Sequence, residues 1–111
     1  MKHICIYTTI ETFNHKREGG IMYWEFRNTP KIYQKYEKLF NEGKKDNEVF
    51  DEKPRIYFAY KGFIHGYFTV VDWDGTTRTY IQIHFDSDTW TEIKPIPTKP
   101  HRGFKYIIHI A

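Results

Sequence analysis

Apolar and polar positions alternate along most of this chain, and where the alternation stops the residues are turn formers. Residues 2–9 place Ile4 and Ile6 on one side and His3, Cys5 and Tyr7 on the other, which predicts a first strand. Residues 11–20 are polar and close on Gly19-Gly20, predicting a short helix stopped by glycine. Residues 20–27 form the next strand, with Tyr23, Glu25 and Arg27 on one face and Met22, Trp24 and Phe26 on the other. Asn28-Thr29-Pro30 breaks it. Ile32, Tyr33, Tyr36, Leu39 and Phe40 then recur at helical spacing, predicting the main helix over 31–42 with Gly43 as its stop. Residues 44–54 read as a charged loop.

From Arg55 onward the pattern is a β meander. A strand over 55–60 turns at Lys61-Gly62 into a strand over 63–73, and Asp74-Gly75 then turns the chain into a strand over 77–85. Gly66 inside the middle strand marks a bulge or a close approach by another backbone. Asp86-Ser87-Asp88 reads as a loop. Residues 90–100 hold Pro95, Pro97 and Pro100 and read as an extended crossing segment, and 103–110 as a last strand. The expected fold is α+β and mainly β: a small mixed β-barrel of five to six strands with one main helix and a second, short one. A ferredoxin-like sheet is the alternative, but it needs a second full helix that the pattern does not supply.

Composition narrows this further. The 111 residues fit one domain over 1–111, and 19% aromatic content suits pleated surfaces. A formal charge of +3 does not by itself nominate nucleic acid. After Glu92, however, Lys94, Lys99, Arg102 and Lys105 occur with no acid before the last residue, beside Trp90, Phe104 and Tyr106. That suits a surface for phosphates and bases, the alternative being a basic tail that serves solubility alone. Cys5 is the single cysteine and reads as a small buried hydrophobe in a reducing, cytoplasmic setting. No apolar run has the length of a membrane span, so no membrane partner is expected.

Few residues offer chemistry. His84, Asp86 and Asp88 could place three ligands along one side of an extended segment, but the same residues make a turn, and neither a metal nor a cofactor is expected. There is no nucleophile elbow and no phosphate-cradling glycine loop, so binding is favoured over catalysis. Glu25 and Arg27 on one face of the second strand are the central candidates: an acid and a base beside Tyr23 can line a polar pocket, or can equally form an outer face with an internal ion pair.

Gly20, Glu25 and Arg27, followed by Pro30, stand at the spacings of the signature that reads Gly, any, Lys, any, any, Glu, any, Arg. The chain in this respect resembles the ASCH domains of the PUA-like superfamily. Residues 57–68, Tyr-Phe-Ala-Tyr-Lys-Gly-Phe-Ile-His-Gly-Tyr-Phe, are similar to that family's strand, turn and returning strand. The resemblance departs at Met22, where the family has lysine, and in the helix placed after Pro30. It implies a β-barrel with a cleft for a nucleotide or an RNA element, with Glu25 meeting a base edge or shaping the cleft and Arg27 pairing with Glu25 or a phosphate. The resulting expectation is RNA or nucleotide binding, with Glu25, Arg27 and Tyr57 lining the cleft, Arg102 and neighbouring lysines such as Lys99 on the phosphates, and Lys61 a further ligand-binding residue. The alternative is a phage or mobile-element inhibitor acting on a host protein, suggested by scarce Ala and plentiful Lys, Asn, Ile and Tyr. A third is hydrolysis of a modified nucleoside or RNA, for which Lys16 or Lys61 must reach the pocket in place of Met22.

Overall fold

The computed structural model describes residues 2–27, 31, 34, 54–74, 80–101 and 104–108, with backbone alone at Lys2, Trp73, Asp74 and 104–108. It is mainly β. The described strands are β1 (Lys2–Tyr7), β2 (Ile21–Arg27), β3 (Arg55–Tyr60), β4 (Phe63–Asp74), β5 (Tyr80–Pro97) and β6 (Phe104–Ile108), and α1 (Ile10–Lys16) lies between β1 and β2. They form a mixed sheet in the order β2-β5-β4-β3-β1-β6. β1 and β3 are parallel, with Ile4 opposite Ile56 and Tyr7 opposite Ala59, and the other pairings are antiparallel. Among the described residues the sheet curls into a half-barrel rather than a closed one, because β2 and β6 end the order without pairing each other. Of the main helix expected over 31–42, only Lys31 and Gln34 are described, both helical and exposed; the rest lies outside the described residues.

The curl comes from the β4–β5 ribbon. Between the pairs Tyr67–Thr91 and Thr69–Asp86, β4 advances two residues while β5 advances five. The surplus forms a bulge where a loop was expected, and it is closed by side chains. Asp86 Oδ1 accepts from Asp88 N at 2.9 Å, and Thr89 Oγ1 accepts from Thr69 N at 2.8 Å and donates to Asp86 O at 2.6 Å. Turn-forming residues here bend a strand instead of reversing it. β5 therefore continues to Pro97, correcting the expected crossing segment. Thr98 N donates to Gly62 O, which makes Pro97 and Pro95 the positions whose backbone nitrogens face away from β4. Proline is tolerated on that edge because no ladder bond is lost there.

Gly66 sits at the bend. A Cβ there would lie 2.3 Å from Thr91 O and 2.7–2.8 Å from the Trp90 ring, which explains why a strand interior carries glycine. The Lys61-Gly62 turn has φ of 50° and 86°, the double positive φ of a type I′ two-residue hairpin.

The curl encloses the main core of Ile4, Ile6, Ile56, Phe58, Phe68, Val70, Ile81, Ile83 and Phe85, with Phe26 from β2. α1 lies against this face through Phe13, whose ring meets Phe58, Tyr60, Phe68 and Trp90 at 4.7–6.3 Å. Thr9 caps the helix by accepting from Thr12 N, and Gly19 and Gly20 (φ 105° and 73°) turn the chain back into β2. The other face of β1 and β3 carries a smaller cluster of Cys5, Tyr57, Ala59 and Ile64. Burial on both faces is usual for a parallel pair.

Candidate functional site

β2 is at the end of the sheet order, and its alternation decides what its side chains face. Trp24 and Phe26 pack on the main core, so Tyr23, Glu25 and Arg27 are turned outward, and all three are exposed. Glu25 and Arg27 thus do not line an interior cleft as expected. The bulkier aromatic face takes the core, and alternation sends the acid and the base to the opposite face.

A different hollow holds Glu25. The chain leaves α1 through Gly19-Gly20 and returns along β2, so the last turn of the helix lies beside the strand. Thr12, Lys16, Tyr23, Trp24 and Glu25 line an open hollow of about 330 Å³ between them. Lys16 is its cation. The ammonium donates to Tyr23 O at 2.7 Å and lies 4.9 Å from the centroid of the Tyr23 ring and 5.7 Å from that of Trp24. The pairing of Gly20 O with Ser87 N makes 22, 24 and 26 the positions bonded to β5, so Tyr23 O points to the outer edge and Lys16 covers it. Burial lowers the Lys16 pKa from the ordinary lysine value of 10.5, and the Glu25 carboxylate opposes that shift.

Lys16 is held in place from its backbone. Ser87, in the β5 bulge and nearly fully buried, donates from Oγ to Lys16 O at 2.7 Å and accepts from Gly19 N at 3.2 Å. Glu25 is held from its side chain. Glu25 Oε1 accepts from Gln82 Nε2 at 2.7 Å, and Gln82 Oε1 lies 3.1 Å from His84 Nε2. A carboxylate only accepts, so the Gln82 amide nitrogen must face Glu25 and its oxygen must face His84. His84 Nε2 is therefore the protonated ring nitrogen.

The other expected site residues are not brought to this hollow. Tyr57 is fully buried, its hydroxyl accepting from Arg55 Nη1 at 3.0 Å, and it cannot line an open cleft. An apolar, two-sided strand in the middle of the sheet keeps it there. Lys61 and Lys99 are exposed near each other at the far end of the β4–β5 ribbon, where Phe63 pairs with Pro97; Glu25 pairs with Gln82 at the opposite end. Arg102 lies outside the described residues. Of the two lysines considered as replacements at the Met22 position, Lys16 reaches the Glu25 hollow and Lys61 does not. Sequence reasoning missed Gln82 and weighed His84 only as a metal ligand; their link to Glu25 follows from the β2–β5 register alone. Among the described residues no three His, Cys, Asp or Glu side chains form a cluster able to hold a metal ion. Asp86 instead accepts from the backbone of Asp88. No helix among the described residues is long and apolar enough to cross a membrane.

No family model, curated protein or solved structure matches the chain.

Proposed function

We propose that this chain binds a nucleotide unit, free or within single-stranded RNA, in the hollow between α1 and β2. The observation that carries the reading is an ammonium (Lys16) and a carboxylate (Glu25) bordering one hollow with the rings of Tyr23 and Trp24. An aromatic plate takes the face of a base, a carboxylate takes its N–H edge, and an ammonium takes a phosphate. The volume is at the low end of small-molecule sites, which run to roughly 300–1,000 Å³. Arg27, two residues along the same exposed face, would take a second phosphate of a strand. The ASCH resemblance of Gly20, Glu25 and Arg27 supports the same reading.

Titration with nucleoside monophosphates and with short single-stranded RNA at low salt tests it and separates the two sources of the unit. With Lys16 and Arg27 meeting one or two phosphates, log K against log salt should have a slope of about −0.7 to −1.4 for RNA. Absence of binding by every one of these ligands at low salt would end the reading.

A second reading, contact with a host protein, rests on a separate observation. Ile21, Tyr23 and Tyr80 stand 61%, 47% and 47% exposed on the outer face of β2 and β5, a strip of the kind that protein partners cover. A partner retained from host lysate after nuclease treatment favours it. Hydrolysis of a modified nucleoside has the placement of Lys16 beside Glu25 in its favour, and release of product from an acylated nucleoside tests it.

A further inference from the structure

The side chains around Glu25 narrow the base that the hollow can read. Glu25 is an acceptor with no proton to give, and its orientation is set by a chain of donors running one way. His84 Nε2 donates to Gln82 Oε1, and Gln82 Nε2 donates to Glu25 Oε1. The relay uses one lone pair of one oxygen and leaves the rest of the carboxylate to accept from a ligand. An acceptor pair of this geometry matches two adjacent N–H donors on a planar ring.

Among the common bases only guanine has such an edge, N1–H beside the 2-amino group. Adenine and cytosine put a ring-nitrogen acceptor beside their amino group, which sets lone pair against lone pair. Uracil has a single N–H between two carbonyls. The hollow is also bordered by a cation. Lys16 uses one of its three N–H bonds on Tyr23 O and keeps two for an anion. Tyr23, 47% exposed, supplies a plate for the ring.

Resting on the nucleotide reading above, we infer that the hollow selects a guanine nucleotide, with the N1–H and 2-amino edge on Glu25 and the phosphate on Lys16. Discrimination comes from Glu25 and affinity for the phosphate comes from Lys16, so the two can be separated by substitution.

Calorimetric titration of the full chain with GMP, IMP, AMP and CMP at low salt is the test. GMP should bind about tenfold or more tightly than AMP and CMP, the low end of what a bidentate base contact supplies. IMP, which keeps N1–H and lacks the 2-amino group, should fall between. Glu25→Gln, an exposed substitution that preserves size, should abolish the preference of GMP over AMP, because an amide offers a donor as well as an acceptor. Lys16→Gln should weaken all four ligands together and leave their ranking unchanged. Equal binding of the four nucleotides overturns the guanine assignment while leaving the nucleotide reading standing, as does a preference that survives Glu25→Gln. Binding by none of them overturns both.

Discussion

Replacing Gly66 with alanine is the sharpest perturbation of the fold that places this site. The added Cβ would meet Thr91 O at 2.3 Å and two atoms of the Trp90 ring at 2.7 and 2.8 Å. Ordinary carbon–oxygen contacts lie about 1 Å further out, and the nearest obstacle is backbone, so no rotamer change removes it. Trp90 cannot simply swing aside, because its ring packs 4.7 Å from Phe13 and 4.9 Å from Phe68. Forcing an extra carbon into such a site costs about 1–3 kcal/mol, and the unreachable backbone oxygen puts Gly66→Ala at the upper end. Against this, removing glycine from the unfolded chain returns roughly 0.4–1 kcal/mol. The net loss should be about 2 kcal/mol, or ~8–16 °C in Tm for a domain near this size. Urea unfolding followed by tryptophan fluorescence should show a lower midpoint with an unchanged slope. A midpoint equal to or above the parent's would refute the packing argument, and with it the account of why the ribbon bends at this point.

Three further substitutions probe the site. Ser87→Ala removes the hydroxyl that joins Lys16 O to Gly19 N; it should cost about 1–3 kcal/mol in urea unfolding and weaken nucleotide binding severalfold by loosening the helix end. Tyr57→Phe removes the hydroxyl held by Arg55 and should lower stability by about 1 kcal/mol while leaving nucleotide affinity unchanged, since Tyr57 is buried away from the hollow. Lys16→Met should alter the pH dependence of stability. Below its lowered folded-state pKa, Lys16 is charged in both states and the folded chain bears the desolvation cost in full. Between that value and 10.5 the unfolded chain binds the extra proton, so stability contributed at this position rises with pH. Urea midpoints taken across that window should rise less in Lys16→Met than in the parent, and parallel curves would remove desolvation as the cause.

The sequence revealed the strands more readily than the site, and the reasons are specific. Alternation placed β1, β2, β3 and the Lys61-Gly62 turn within a residue or two, because each has a period that only one element satisfies. The charged face of β2 was legible as a face, but the sequence could not say which side the core would take. That was settled by Trp24 and Phe26 packing against strands remote in sequence. Asp86-Ser87-Asp88 was misread because its turn chemistry is real but is spent on a bulge inside an 18-residue strand. Pro95 and Pro97 argued against a central strand, and along that half of β5 they occupy an edge, where the argument does not apply. Grouping Lys61, Lys99 and Tyr57 with Glu25 failed for want of register: nothing local tells which end of a long ribbon a residue occupies. Lys16 could be named as a candidate only because its amine was needed, whereas the Gly19-Gly20 reversal is what delivers it.

Chemical-shift mapping of backbone amides during addition of GMP decides whether the hollow between α1 and β2 is where a nucleotide binds. Saturable shifts should concentrate at Thr12, Lys16 and residues 23–25 and extend to Gln82 and His84 through the Glu25 relay, with Lys61 and Lys99 unmoved. Shifts confined to the Lys61–Lys99 end of the ribbon, or none at all at millimolar GMP in low salt, would contradict it.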